Sequence, residues 1–264
     1  MPAEKARARV IRSFPFGDSS AVVVLYTREL GKVRALAKGA WRPKGSFDGA
    51  LDLLSACQVV TLRKSSGGLD LLTEAWLDRR FRVGSMTAFH GGMHVAELLD
   101  ALTAEADPQP ELFDAADATL RVLSPAFPAA APADEVVRAT VARFELLTLS
   151  LTGHAPALDA CAECRRPVDT AGRVAFGMLD GGALCPECRR GKRAVVSLSA
   201  GCARALLRLA DPAGPVPPPP LPDPLDGEVR ALLTTLLAHT LGRRPRVAPL
   251  LKARSTPTPR PSER

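Results

Sequence analysis

The chain has 264 residues, 46% hydrophobic and 24% charged, too apolar for a wholly disordered protein and long enough for one large or two to three small domains. Its longest apolar run, Ala21 to Tyr26, falls short of the roughly 20 residues of a membrane span, and charges break up Met1 to Arg12, so neither a span nor a secretory leader is expected. The formal charge of +7 divides into +6 over residues 1–80, −7 over 81–160 and +8 over 161–264, an order that predicts separate surfaces for separate partners, polyanions among them.

Five runs of strand length fill the first eighty residues: Ala6–Phe14, Ser20–Thr27, Gly31–Lys38, Leu53–Arg63 and Leu69–Leu77. They are rich in Val, Ile, Leu and Thr, and turn signals such as Gly17-Asp18-Ser19 and Ser65-Ser66-Gly67-Gly68 separate them. No helical stretch of crossover length lies between them, so an antiparallel meander closing on itself is expected. Five short strands suggest an OB-fold β-barrel over residues 1–80, which pattern alone does not separate from an SH3-like barrel. On the third strand Lys32, Arg34 and Lys38 share one face, and Val33, Ala35 and Ala37 take the other. Arg7 and Arg9 are placed alike on the first strand, and the loop after the third adds Trp41, Arg42 and Lys44. Cations beside an exposed aromatic pair phosphates and stack bases, so these eight residues are the candidate DNA contacts. The competing reading is a solvated strand face with Trp41 tucked into the barrel mouth. Aromatics make up only 5% of the chain, so phosphate contacts should dominate affinity.

From Gly84 to Ser150 the apolar spacing changes to three and four, in stripes starting at Met86, Leu112 and Val136. Asp134-Glu135 puts acid at the start of the third helix, where the helix dipole favours it. Further helices are expected at Ser199–Ala210 and Asp226–Leu241. The helical domain thus has a first part at 81–160 and C-terminal helices within 195–245. Pro212–Pro224 reads as an extended polyproline connector, and residues 246–264 as a disordered tail. His90 and His94 have the spacing of a zinc-protease helix, but Gly91 stands where that motif needs Glu, so they read as core or surface histidines.

Cys161-Ala-Glu-Cys164 and Cys185-Pro-Glu-Cys188 form two C-x₂-C knuckles with zinc-site spacing. Two residues between thiolates let one tight turn aim both sulfurs at a tetrahedral ion. Four cysteines leave no position for water, so one structural Zn2+ per chain is expected, in a module over residues 161–194. Val174–Phe176 and Ala183–Leu184 are candidates for its hairpin. Arg165, Arg166, Arg189, Arg190, Lys192 and Arg193 flank the knuckles, either to bind phosphate or to support four thiolates. Cys57 and Cys202 read as packed thiols. Phosphate-cradling and nucleophile-elbow motifs are missing from the sequence, so the protein is not expected to be an enzyme.

A basic barrel followed by a helical bundle with an inserted four-cysteine module resembles the RecO family of bacterial recombination mediators. The most specific stretch is Gly31-Lys-Val-Arg-Ala-Leu-Ala-Lys-Gly-Ala40 with Lys44-Gly-Ser46 and Gly49-Ala-Leu51, followed by Phe89 to Leu99. The chain departs from the family pattern at Trp41, where a basic residue is usual, and at Leu53-Leu54. The resemblance implies an OB-fold and a helical domain in a cytoplasmic, nucleoid-associated protein of DNA repair and recombination. It implies binding of ssDNA and dsDNA and annealing of strands coated with single-strand-binding protein. It also implies partnership with RecR in loading RecA. The acidic middle would stay free for a protein partner. The acidic tail of single-strand-binding protein needs local arginine, and Arg121, Arg138 and Arg143 are the candidates there. The alternative is a zinc-ribbon OB-fold protein that binds RNA or acts as a scaffold.

Overall fold

Five strands close into a barrel: β1 (Ala3–Phe16), β2 (Ser20–Thr27), β3 (Gly31–Ala37), β4 (Ala56–Leu62) and β5 (Asp70–Arg79). The computed structural model describes residues 3–42, 45, 47, 49–64, 68–126 and 131–251. The strand order is β1-β2-β3-β5-β4, and β4 returns to β1. The expected meander is corrected at one place: β3 pairs with β5 in parallel, from Ala35↔Asp70 to Ala37↔Leu72. Strand β4 pairs with β1 and β5, so β5, not β4, lies beside β3. Closure through that pair gives the OB-like barrel its topology.

Alternation along the strands turns Ala6, Ala8, Val10, Val23, Leu25, Ala35, Ala37 and Val59 into one small-residue core inside the barrel. A bulge between Val10 and Arg12 breaks the alternation of β1. Val10 points inward, while Ile11 joins Val24, Tyr26 and Leu54 in a second core shared with the helices. The outside of the barrel is therefore one wall of the helical domain.

That domain holds α1 (Met86–Leu102), α2 (Pro110–Leu123), α3 (Asp134–Leu151), α4 (Ala200–Ala210) and α5 (Leu225–Leu241). Helix α3 is buried nearly all round and packs on the other four, as expected of a central helix. The Ser85 hydroxyl caps α1 by accepting from Ala88 N at 3.1 Å, and Ser199 does the same for α4 from Cys202 N at 3.1 Å. Gly92 lets α1 meet the barrel closely, since a Cβ there would stand 2.6 Å from Leu54 Cδ1. Gly31 opens β3 at φ +71°, and a side chain there would strike the Asp107 backbone.

Between α3 and α4 a three-stranded sheet runs β7-β6-β8, from β6 (Val174–Gly177), β7 (Gly182–Leu184) and β8 (Val195–Leu198). The connector after α4 opens with a turn, Gly214 N donating to the Asp211 carbonyl at 3.0 Å, so the expected polyproline segment is corrected at its first residues, Pro212–Gly214. A 3-10 helix, Ala248–Leu251, lies against α1 and buries Leu251. The expectation of disorder from residue 246 is thereby corrected as far as Leu251. Among the described residues no helix is long and apolar enough to cross a membrane.

Candidate nucleic-acid interface and metal centre

The structure divides the candidate DNA contacts in two. Arg9 is almost fully buried: its Nε donates to Asp117 Oδ1 at 2.9 Å and its Nη1 to the Leu54 carbonyl at 3.0 Å. Lys32 is buried too, and its Nζ donates to the carbonyls of Asp100 (2.6 Å) and Thr103 (2.7 Å) at the end of α1. Both are struts between barrel and helices, which corrects their reading as DNA contacts. The strand face they occupy is outward from the barrel, but helices cover it. Arg7 is exposed and pairs with Glu29 at 3.5 Å, and exposed Arg34 pairs with Glu105 at 3.4 Å. Lys38, Trp41 and Arg42 are exposed, and neither cation has an ion-pair partner among the described residues. Lys44 lies outside the described residues.

Pairing between segments accounts for much of the charge pattern. Arg12 meets Asp100 at 3.0 Å and Arg28 meets Asp114 at 2.9 Å, beside the Arg9, Lys32 and Arg34 pairs. The acidic carboxylates of α1 and α2 are thus spent largely on docking the barrel, not kept free for a partner.

Trp41 N donates to the Ser19 carbonyl at 3.0 Å, which fixes the Trp41 loop against the turn between β1 and β2. Phe14 and Phe16 stand on the adjoining outer face, pairing with Val22 and Ser20, and both are about as exposed as Trp41. Lys38 follows Ala37, itself paired with Ala21. Three half-exposed aromatics and two unpaired cations therefore share one end of the barrel. The sequence reading missed both phenylalanines because the bulge shifts the phase of β1 ahead of them; the signal was Phe14-Pro15-Phe16, aromatics two apart at a strand end. It also missed Trp76, half-exposed on β5 with the Lys5 ammonium 5.5 Å from its ring centroid.

The sulfurs of Cys161, Cys164, Cys185 and Cys188 lie within 4.8 Å of one another, so the cluster could hold a metal ion. Cys164 Sγ and Cys185 Sγ are 3.8 Å apart. Zinc–sulfur bonds of about 2.3 Å give a tetrahedral edge of about 3.8 Å, so the donor set fits that ion. Cys57 and Cys202 are buried singly, as expected of packed thiols, and burial pushes each thiol up to about 12. Lys192 ties the module together through Asp180 at 2.7 Å and Glu163 at 2.9 Å, and Arg166 reaches Glu187 at 2.9 Å. Arg165, Arg189, Arg190 and Arg193 are exposed and have no ion-pair partner among the described residues.

The acidic-tail candidates also separate. Arg121 is exposed and pairs with Asp117 at 2.6 Å, while Arg138 is engaged with Asp226 at 2.6 Å. Arg143 is buried and donates to the carbonyls of Leu209, Asp211, Pro212 and Gly214, at 2.6–3.2 Å, which fixes the turn after α4. It also lines an apolar groove with Leu147, Leu151 and Val216, about 350 Å³ in volume. His94 is buried as a core histidine, its Nε2 2.7 Å from Glu145 Oε1, which also accepts from Arg230 at 2.5 Å.

Fold and site together define an OB-barrel protein joined to a helical domain with a four-cysteine module. Residues 1–80 match the family model for the recombination protein O N terminal, and residues 84–248 match that for its C terminal. A DNA repair protein RecO of Rhodopirellula baltica is 34% identical over 270 residues, covering 92% of this chain and 97% of the relative. That of Anaeromyxobacter dehalogenans is 39% identical over 246 residues, covering 89% and 90%. That of Myxococcus xanthus is 31% identical over 242 residues, covering 90% and 92%. The chain belongs to the RecO family of DNA repair proteins.

Proposed function

We propose that the protein is a non-enzymatic recombination mediator that binds ssDNA and dsDNA and anneals complementary strands coated with single-strand-binding protein. The observation that carries this reading is the end of the barrel where Lys38 and Arg42 stand beside Phe14, Phe16 and Trp41. Cations there neutralise phosphates, and the rings offer stacking platforms to unpaired bases of any sequence. Exposed Arg34 extends the contact once its surface carboxylate is exchanged for phosphate, and Lys44 follows Arg42 by two positions in the sequence.

Annealing brings two polyanions together, so the protein must screen their repulsion. The free arginines of the cysteine module, Arg165, Arg189, Arg190 and Arg193, supply a second basic surface. Zn2+ held by Cys161, Cys164, Cys185 and Cys188 has four thiolate ligands and no open position, so its contribution is to fold the module. The Arg143 groove between α2 and α3 receives the acidic tail of single-strand-binding protein, and RecR acts with this protein to load RecA.

Binding in rising salt tests the reading. Labelled single and double strands of equal length should both bind, with log affinity falling linearly in log salt, and DNA should resist competition by equal amounts of RNA. Binding that is insensitive to salt, or complete displacement by RNA, would contradict it.

A further inference from the structure

A second cleft, about 280 Å³ in volume, opens between the barrel and α2, lined by Arg7, Arg79, Arg121, Asp78 and Asp117. Arg79 ends β5, whereas Lys38 lies near its start, so this cleft is distinct from the aromatic end of the barrel.

Its charges do not balance. Asp117 Oδ1 accepts from Arg9 Nε and Nη2, and its Oδ2 accepts from Arg121 Nε at 2.6 Å. Arg79 Nη2 is 3.9 Å from Oδ1, beyond hydrogen-bond reach, and is buried with no acceptor among the described residues. Asp78 is engaged by Gln58 at 3.4 Å, and Arg7 by Glu29 at 3.5 Å. Four guanidiniums therefore share three carboxylates. Burial pushes the pKa of Arg79 down, the charges of Arg9 and Arg121 add to that, and Asp117 alone opposes it. Arg79 thus shares its only close carboxylate among the described residues, Asp117, with Arg9 and Arg121, and its planar fork matches a phosphate.

We propose that this cleft is a phosphate-binding site in which Arg79, Arg121 and Arg7 donate to one phosphate group of a nucleic-acid strand. Only the source of the phosphate rests on the function proposed above. The cleft's own need for an anion does not.

The test uses the full chain and a labelled single strand titrated in rising salt. Arg79→Gln and the exposed Arg121→Gln should each flatten the plot of log affinity against log salt by about 0.7, and Arg79→Lys should restore most of it. The flattening should add to that of Lys38→Ala with Arg42→Ala. Thermal unfolding of each variant keeps misfolding apart from lost contacts. A parallel arm adds millimolar inorganic phosphate. If it raises the melting temperature of the parent but not of Arg79→Gln, the cleft binds phosphate, even in a protein that fails to bind DNA. Unchanged salt slopes together with no phosphate-dependent shift overturn the site and leave Arg79 merely hydrated.

Discussion

Lys32 is the second residue of β3 and Lys38 follows its end, yet only Lys38 is exposed. Their sequence spacing is that of one face; the difference is the helix end lying over Lys32. Replacing Lys38 and Arg42 by Ala should weaken DNA binding on all sequences and lower the salt slope by about 0.7 per lost single-strand contact. Lys32→Ala should leave that slope alone and cost about 1.5–3 kcal/mol of stability in denaturant unfolding, because two carbonyls lose a charged donor. Glu97 gives a second residue-scale prediction. Burial alone would raise its pKa, but His94, the Arg246 and Val247 N–H groups and Arg243 hold it well below the usual carboxylate range. A depressed folded pKa contributes stability that is present above about pH 4.3 and lost as pH falls through the folded value. Glu97→Gln should lower the melting temperature at pH 7 and flatten its decline in acid. Asp117 and Glu145 are also held low, so some acid sensitivity should remain. A decline as steep as in the parent would contradict this assignment.

The five barrel strands, five helices and both cysteine knuckles were legible in the sequence because each has a local signal: alternation, a three-to-four stripe, or fixed spacing. What was illegible depends on distant partners. The parallel pairing of β3 with β5 is a matter of barrel closure, and no residue of either strand announces it. Strand β8 is four residues long, too short for a period to show. The 3-10 helix is held by Glu97, about 150 positions upstream. The cysteine module is the element whose independence is easiest to test. Its small core, around Cys161, Leu184 and Cys185, is mostly the ligands themselves. Chelation should therefore lower the melting temperature and free four thiols to a thiol reagent. Unfolding unchanged after confirmed metal loss would show that the module stands without its ion.

Across the whole molecule, the basic–acidic–basic order was legible but its meaning was not. The sequence suggested two partners for two surfaces; the fold brings the first two blocks against each other. Tyr26 stacks on Phe113 with ring centroids 6.2 Å apart, and Arg9, Arg28 and Lys32 anchor the barrel to α2 and α1 around that contact. Asp117→Ala would strand Arg9 in the interface without its carboxylate. The expected cost is about 3–5 kcal/mol, with barrel and helices loosening together in denaturant unfolding. A change within about 0.5 kcal/mol would mean that apolar packing alone docks the barrel.

Once these pairs are formed, exposed cations with no ion-pair partner among the described residues remain at the aromatic end of the barrel and on the cysteine module, and also on the helical domain at Arg204, Arg208 and Arg244. That arrangement suits a protein that brings two strands together without consuming a nucleotide. The most direct test is the pairing rate of two complementary labelled oligonucleotides, already coated with single-strand-binding protein, with no nucleotide added. Faster pairing than in the control lacking this protein is predicted, with the gain lost when the coating protein has no acidic tail. No acceleration by folded, zinc-loaded protein would contradict the mediator role.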